Sequence, residues 1–96
     1  FYTNAPKSEQ YLSKYVEKFG EEPSLVAYAS SAYDVTYMIA QAIKNVGEEP
    51  SKIKDYLYTI KDWEGAAGNA TIDSNGDAKM PWALKIIKNG KIEDYK

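Results

Sequence analysis

Apolar residues return every third or fourth position in three stretches of the chain, and each stretch predicts a helix. In the first, Leu12, Tyr15, Val16 and Phe19 make one stripe, with Lys14, Glu17 and Lys18 on the wet face. Ser8 is placed to cap this helix, Glu9 stands in its first turn, and Lys18 and Gly20 close it, so it covers about 8–19. The second covers about 29–46, starts somewhere from 27 to 31, and stops before Gly47. Its stripe is Ala29, Ala32, Val35, Ile39, Ile43 and Val46, widened by Tyr33, Thr36 and Ala40; only Asp34, Gln41, Lys44 and Asn45 read as solvated. So broad an apolar face predicts burial against a sheet. Upstream, Leu25-Val26-Ala27-Tyr28 fits either an extended approach or a first helical turn. The third helix covers about 52–60, with Ile53, Tyr56, Leu57 and Ile60 on one side and Pro50-Ser51 at its start.

After Asp62 the period shortens. Glu64-Gly65-Ala66-Ala67-Gly68 reads as a loop, and Ala70-Thr71-Ile72-Asp73 as a short strand. Ser74-Asn75-Gly76-Asp77 then makes a tight turn, and 82–87 a second strand. Lys88-Asn89-Gly90-Lys91 is another turn, ahead of a brief segment centred on Ile92. Asn-Gly in both turns signals hairpins, because a type I′ turn needs positive φ at both central residues. The order predicts an α/β chain of three helices followed by hairpin strands. No long β-branched strand is present to cover the second helix with a parallel sheet. That gap, and a start at Phe1 without a signal-like segment, predict a piece of a larger fold.

Composition narrows the chemistry. Twelve Lys/Arg against fourteen Asp/Glu give a net charge of −2 and no electrostatic case for nucleic acid. The chain has no Cys and no His, which removes disulfides, thiolate chemistry, most zinc sites and every His-based triad. No apolar run reaches the roughly 18 residues of a membrane helix. The expectation is a non-enzyme without a cofactor.

Individual motifs mostly reduce to punctuation. Gly-Glu-Glu-Pro-Ser occurs at 20–24 and 47–51, where Gly closes one helix and Pro-Ser introduces the next segment. Asp73-Ser74-Asn75-Gly76-Asp77 starts like a calcium loop, but its sixth position is Ala78 and its twelfth Leu84, so a hairpin turn explains it. Gly65-Ala66-Ala67-Gly68 lacks the Lys-Ser/Thr and the helix of a phosphate loop and reads as a flexible crossover. Glu21/Glu22 and Glu48/Glu49 read as solvated loop pairs, and Lys79, Lys85, Lys88 and Lys91 as an edge face kept soluble by charge. Ser30-Ser31-Ala32-Tyr33-Asp34 is more informative. It lies near the N-terminal end of the second helix, where free N–H groups and the positive dipole end favour anionic ligand groups. Tyr33 offers a ring and a hydroxyl to a small amphipathic ligand; spacing alone reads it first as a core tyrosine on the stripe.

Taken in order, these segments resemble a known family. They are Tyr15-Val16-Glu17-Lys18-Phe19-Gly20 with Pro23, Ala32-Tyr33-Asp34, Ala40-Gln41-Ala42-Ile43, Gly68, Ile72-Asp73-Ser74-Asn75-Gly76-Asp77 and Ile86-Ile87-Lys88-Asn89-Gly90-Lys91. The set resembles the C-terminal part of type I periplasmic binding proteins, the leucine/isoleucine/valine-binding-protein-like solute receptors of ABC transporters. The resemblance implies two Rossmann-like lobes joined by three crossovers, closing on an amino acid or similar solute. Residues 1–64 would then be the helical part of the first lobe, and 65–96 a crossover and hairpin strands of the second lobe and hinge. It also implies that Tyr33 is a ligand-side residue, with Ser31 and Ser30 as neighbours, and that most groups holding the solute's charged ends lie elsewhere in the receptor. A periplasmic or extracellular location, a permease partner and a self-associating isolated fragment are implied in the same way. Two other classes remain open: the ectodomain of a signalling receptor, and an autonomous α+β interaction module.

Overall fold

The computed structural model describes residues 2–4, by their backbone path, and 9–96. Along the chain run β1 (Tyr2–Asn4), α1 (Glu9–Phe19), α2 (Val26–Val46), α3 (Pro50–Leu57) and then β2 (Trp63–Gly65). They are followed by β3 (Gly68–Ile72), β4 (Ala78–Lys79), β5 (Trp82–Lys88) and β6 (Lys91–Asp94). The class is α/β, as expected. Ser8, read as the cap of α1, lies outside the described residues. Gly20 ends α1 with φ 80 and donates its N–H to the Val16 carbonyl at 2.7 Å. α2 starts at Val26, ahead of the expected window, so the segment left open at 25–28 is largely helical. Its first turn is closed from within: Ala29 N–H reaches the Leu25 carbonyl at 3.0 Å, and the Ser30 and Ser31 hydroxyls donate to carbonyls of Val26 and Ala27. Pro50 sits where a missing N–H is harmless and opens α3, which stops at Leu57. Beyond it Thr59 and Ile60 bond to carbonyls three residues back, a tighter turn that ends the helix before the expected 60.

Among the described residues all strand pairs are antiparallel and form two sheets, ordered β1-β5-β6 and β2-β3-β4. Three of the strands carry no sequence signal: β1, β2 and the two-residue β4. β1 pairs with β5 in the register Tyr2↔Leu84 to Asn4↔Trp82. β2 pairs with β3 so that Gly65 faces Gly68, and the stretch read as a flexible crossover is a two-residue hairpin turn at Ala66 and Ala67. Gly68, at φ 116, takes the backbone conformation that this turn demands. At the second Asn-Gly, Asn89 (φ 52) and Gly90 (φ 75) form the expected turn between Lys88 and Lys91. The first behaves differently. Only Gly76 there has positive φ, and residues 73–77 make a five-residue loop between Ile72 and Ala78. Its organiser is Asp73, whose Oδ1 accepts the Asn75 and Asp77 N–H groups at 2.9 and 3.0 Å. The Asp77 amide, then Asn75 and Lys79, hold the Asp73 carboxyl below the usual carboxylate range. The residue that would open a calcium loop is thus engaged by backbone, and no metal-holding cluster occurs among the described residues.

The core is Met38, Ile60 and Ala70, flanked by Leu57, Trp63, Ile72 and Met80. It lies under one side of α2. The buried positions of that helix are Ser30, Asp34, Met38 and Ala42, spaced by four. The predicted stripe lies one residue round the helix, and Val35, Ile39 and Ile43 are 50, 40 and 40% exposed. The reason is that α2 is wide enough to present two apolar rows, and the described chain covers only the Met38 row. In α1 the buried residue is Tyr11, whereas Val16 and Phe19 of the predicted stripe are exposed. No helix of the described residues is long and apolar enough to cross a membrane.

Candidate functional site

Asp34, expected in solvent, is 6% exposed. Its two carboxylate oxygens each accept one backbone N–H from the β2–β3 turn: Ala66 to Oδ1 at 2.7 Å and Ala67 to Oδ2 at 2.8 Å. A buried carboxylate is tolerable only when hydrogen-bonded, and these charge-assisted bonds meet that condition. The close approach depends on Gly65, since a Cβ there would stand 2.3 Å from Asp34 Oδ2. Sequence reasoning missed this residue because an acid in a helix usually faces water. The available signal was the pair of glycines bracketing two alanines, which leaves two backbone amides without bulky cover.

Beside this contact lies an open pocket of about 340 Å³. α1 contributes Tyr11 and Lys14, α2 contributes Tyr33, Asp34 and Tyr37, and the hairpin closes the third side with Trp63, Glu64 and Gly65. Aromatic rings dominate one wall: Tyr33 stacks obliquely on Tyr11 and on Tyr37, with centroids 4.9 Å apart in both pairs. The Tyr33 hydroxyl donates to that of Tyr37 across a long 3.5 Å. That bond first, and then burial, raises the Tyr33 phenol above its ordinary value, while burial raises Tyr11. Both hydroxyls therefore remain protonated at neutral pH. The indole Nε1 of Trp63 is buried and has no partner among the described residues. A pocket of this size, with rings, two protonated phenols and charged Lys14 and Glu64 at its edge, suits a small amphipathic molecule.

Of the residues singled out in the sequence, Tyr33 is half-buried and lines this pocket. Ser30 and Ser31 do not line it. The Ser30 side chain is fully buried, with its hydroxyl bonded to the Val26 carbonyl at 2.7 Å, and that of Ser31 is bonded to Ala27 at 2.9 Å.

The sequence model for the receptor family ligand binding region matches residues 2–87. The chain belongs to this family. Two solved structures share the receptor fold at similar distance. A leucine binding protein, LivK, from Thermotoga maritima is 29% identical, with a TM-score of 0.75 over 98% of this chain. LivJ, the branched-chain amino acid transporter substrate binding protein of Streptococcus pneumoniae, solved with isoleucine, is 30% identical, with a TM-score of 0.77 over 97% of this chain. The chain spans 27% and 28% of the length of these two proteins. No curated protein sequence matches it. The fold is thus a portion of the type I periplasmic-binding-protein architecture seen in both neighbours.

Proposed function

We propose that this receptor-family segment is the C-terminal part of an extracytoplasmic solute receptor. The receptor binds a branched-chain amino acid or a similar small solute and passes it to an ABC transporter permease, without transforming it. Kinship with LivK and LivJ over nearly the whole chain supports the solute class. The observation that carries the role of this segment is Tyr33, half-buried in an aromatic pocket with its hydroxyl protonated. Tyr33 lines the ligand cleft, and Ser30 and Ser31 form the helical turn behind it. The Asp34 bonds to Ala66 and Ala67 support grouping β2, β3 and β4 with the helices in one lobe. β1, β5 and β6 then form the connection to the other lobe, with the boundary at Pro81. A periplasmic or cell-surface location fits this role.

Calorimetric titration of isoleucine and leucine into the whole receptor tests the reading. Tyr33→Phe is expected to weaken affinity by about 0.5–1.5 kcal/mol through loss of one hydrogen bond. Tyr33→Ala is expected to cost more, because the ring's contact area goes as well. Unchanged affinity in Tyr33→Ala would return this residue to a packing role.

The segment in isolation is expected to self-associate. Val35, Ile39 and Ile43 form an exposed apolar row, and burying each such side chain contributes roughly 1.5–3 kcal/mol. Sedimentation at micromolar concentration should show a dimer or larger species with negligible isoleucine binding. A folded, cooperative monomer would point instead to an autonomous interaction module.

A further inference from the structure

We infer that Asp34 is a positioning residue for ligand binding, one that sets the width of the pocket and the placement of Tyr33. The inference rests on the reading of Tyr33 given above and extends it to a residue that need not touch solute. Asp34 directly follows Tyr33 in α2, so any rotation or slide of the helix at Asp34 displaces the Tyr33 ring. Its carboxylate bridges two walls of the pocket: it belongs to α2, and both of its oxygens are bonded to consecutive amides at the tip of the hairpin, at 2.7 and 2.8 Å. A two-point bond resists rotation as well as separation, which a single hydrogen bond does not. Among the described residues, little else fixes Tyr33 from outside its own helix. Its ring partners are Tyr11 on α1 and Tyr37 one turn further along α2, and its hydroxyl contact to Tyr37 is long. Gly65 completes the arrangement. Its φ is not in the left-handed region, so alanine suits the backbone there, and the atoms nearest to a Cβ at this position are those of the Asp34 carboxylate, from 2.3 Å. Gly65→Ala therefore perturbs the same contact from the hairpin side.

The test is a cycle of variants in the whole receptor, titrated with isoleucine at a temperature where each variant is fully folded. Asp34→Asn keeps the shape but puts an NH₂ where one oxygen met an amide. It is expected to weaken affinity about 3- to 10-fold, the effect of one lost hydrogen bond. In the Tyr33→Ala background the same change is expected to have no further effect on affinity, because the group being positioned is gone. Amide exchange should quicken at Ala66 and Ala67 in Asp34→Asn. Gly65→Ala should weaken isoleucine binding to a similar degree and serves as the variant of record if Asp34→Asn does not fold. Weakened binding in Tyr33→Ala with unchanged affinity in folded Asp34→Asn and Gly65→Ala would overturn the positioning role and leave the role of Tyr33 standing. An equal loss in both backgrounds would also overturn it, since Asp34 would then act independently of Tyr33. Unchanged affinity in Tyr33→Ala would overturn the reading of the site itself.

Discussion

Asp34→Ala is expected to lower stability by about 3–5 kcal/mol. The magnitude comes from the groups left behind. Ala66 and Ala67 are 5% and 2% exposed, so water reaches their N–H groups poorly once the carboxylate is gone. Each orphaned buried donor costs about 1–3 kcal/mol, and bonds to a charged acceptor are at the upper end of the range. Urea denaturation of the protein carrying this segment, followed by circular dichroism, measures the change. A loss below about 1 kcal/mol would mean that the turn amides find other partners, and that Asp34 is not what joins α2 to the hairpin.

The second large effect lies in the core. Met38→Ala removes the side chain that meets Ile60 and Ala70 and is expected to cost about 2–4 kcal/mol. Val35→Ala, one turn away in the row that sequence periodicity favoured, should cost under about 1 kcal/mol in the 96-residue chain, since Val35 is half exposed there. In the whole receptor the two are expected to converge if the Val35 row is covered by the rest of its lobe. Paired denaturation curves for both variants, in the short chain and in the receptor, read this directly. Equal costs in the short chain would show that the exposed row is already packed, by another copy or by a rearranged helix.

Much of this architecture was legible from periodicity and punctuation. The helices ending at Phe19 and Val46, the strand from Trp82 and the Asn89-Gly90 turn all arise from local chemistry that needs no knowledge of the remaining fold. The misses of burial and of the strands β1 and β2 share one cause: each depends on something distant. Val35 and Met38 are equally apolar, and which of them is buried depends on where α3 and the hairpin land. β2 is three residues long and defined by its pairing with β3, while β1 is defined by a partner at the far end of the chain. At the site, Tyr33 could be singled out by residue type and helix position. Asp34 could not, because its burial depends on two amides more than thirty residues away.

The β1–β5 ladder also bears on the order in which the chain assembles. Joining Asn4 to Trp82 closes a loop of nearly eighty residues, whereas the turn at Asn89-Gly90 closes one of four. Loop-closure entropy grows with the logarithm of length, which makes the long closure about 2–3 kcal/mol less favourable than the short one. The helices and local hairpins can therefore form early at small entropic cost, while the long ladder forms once the body between its strands has already shortened the path. The ladder has three residue pairs, so its closure rests on few backbone hydrogen bonds. The segment is built as a pre-assembled body tied off by a short, late knot of backbone hydrogen bonds.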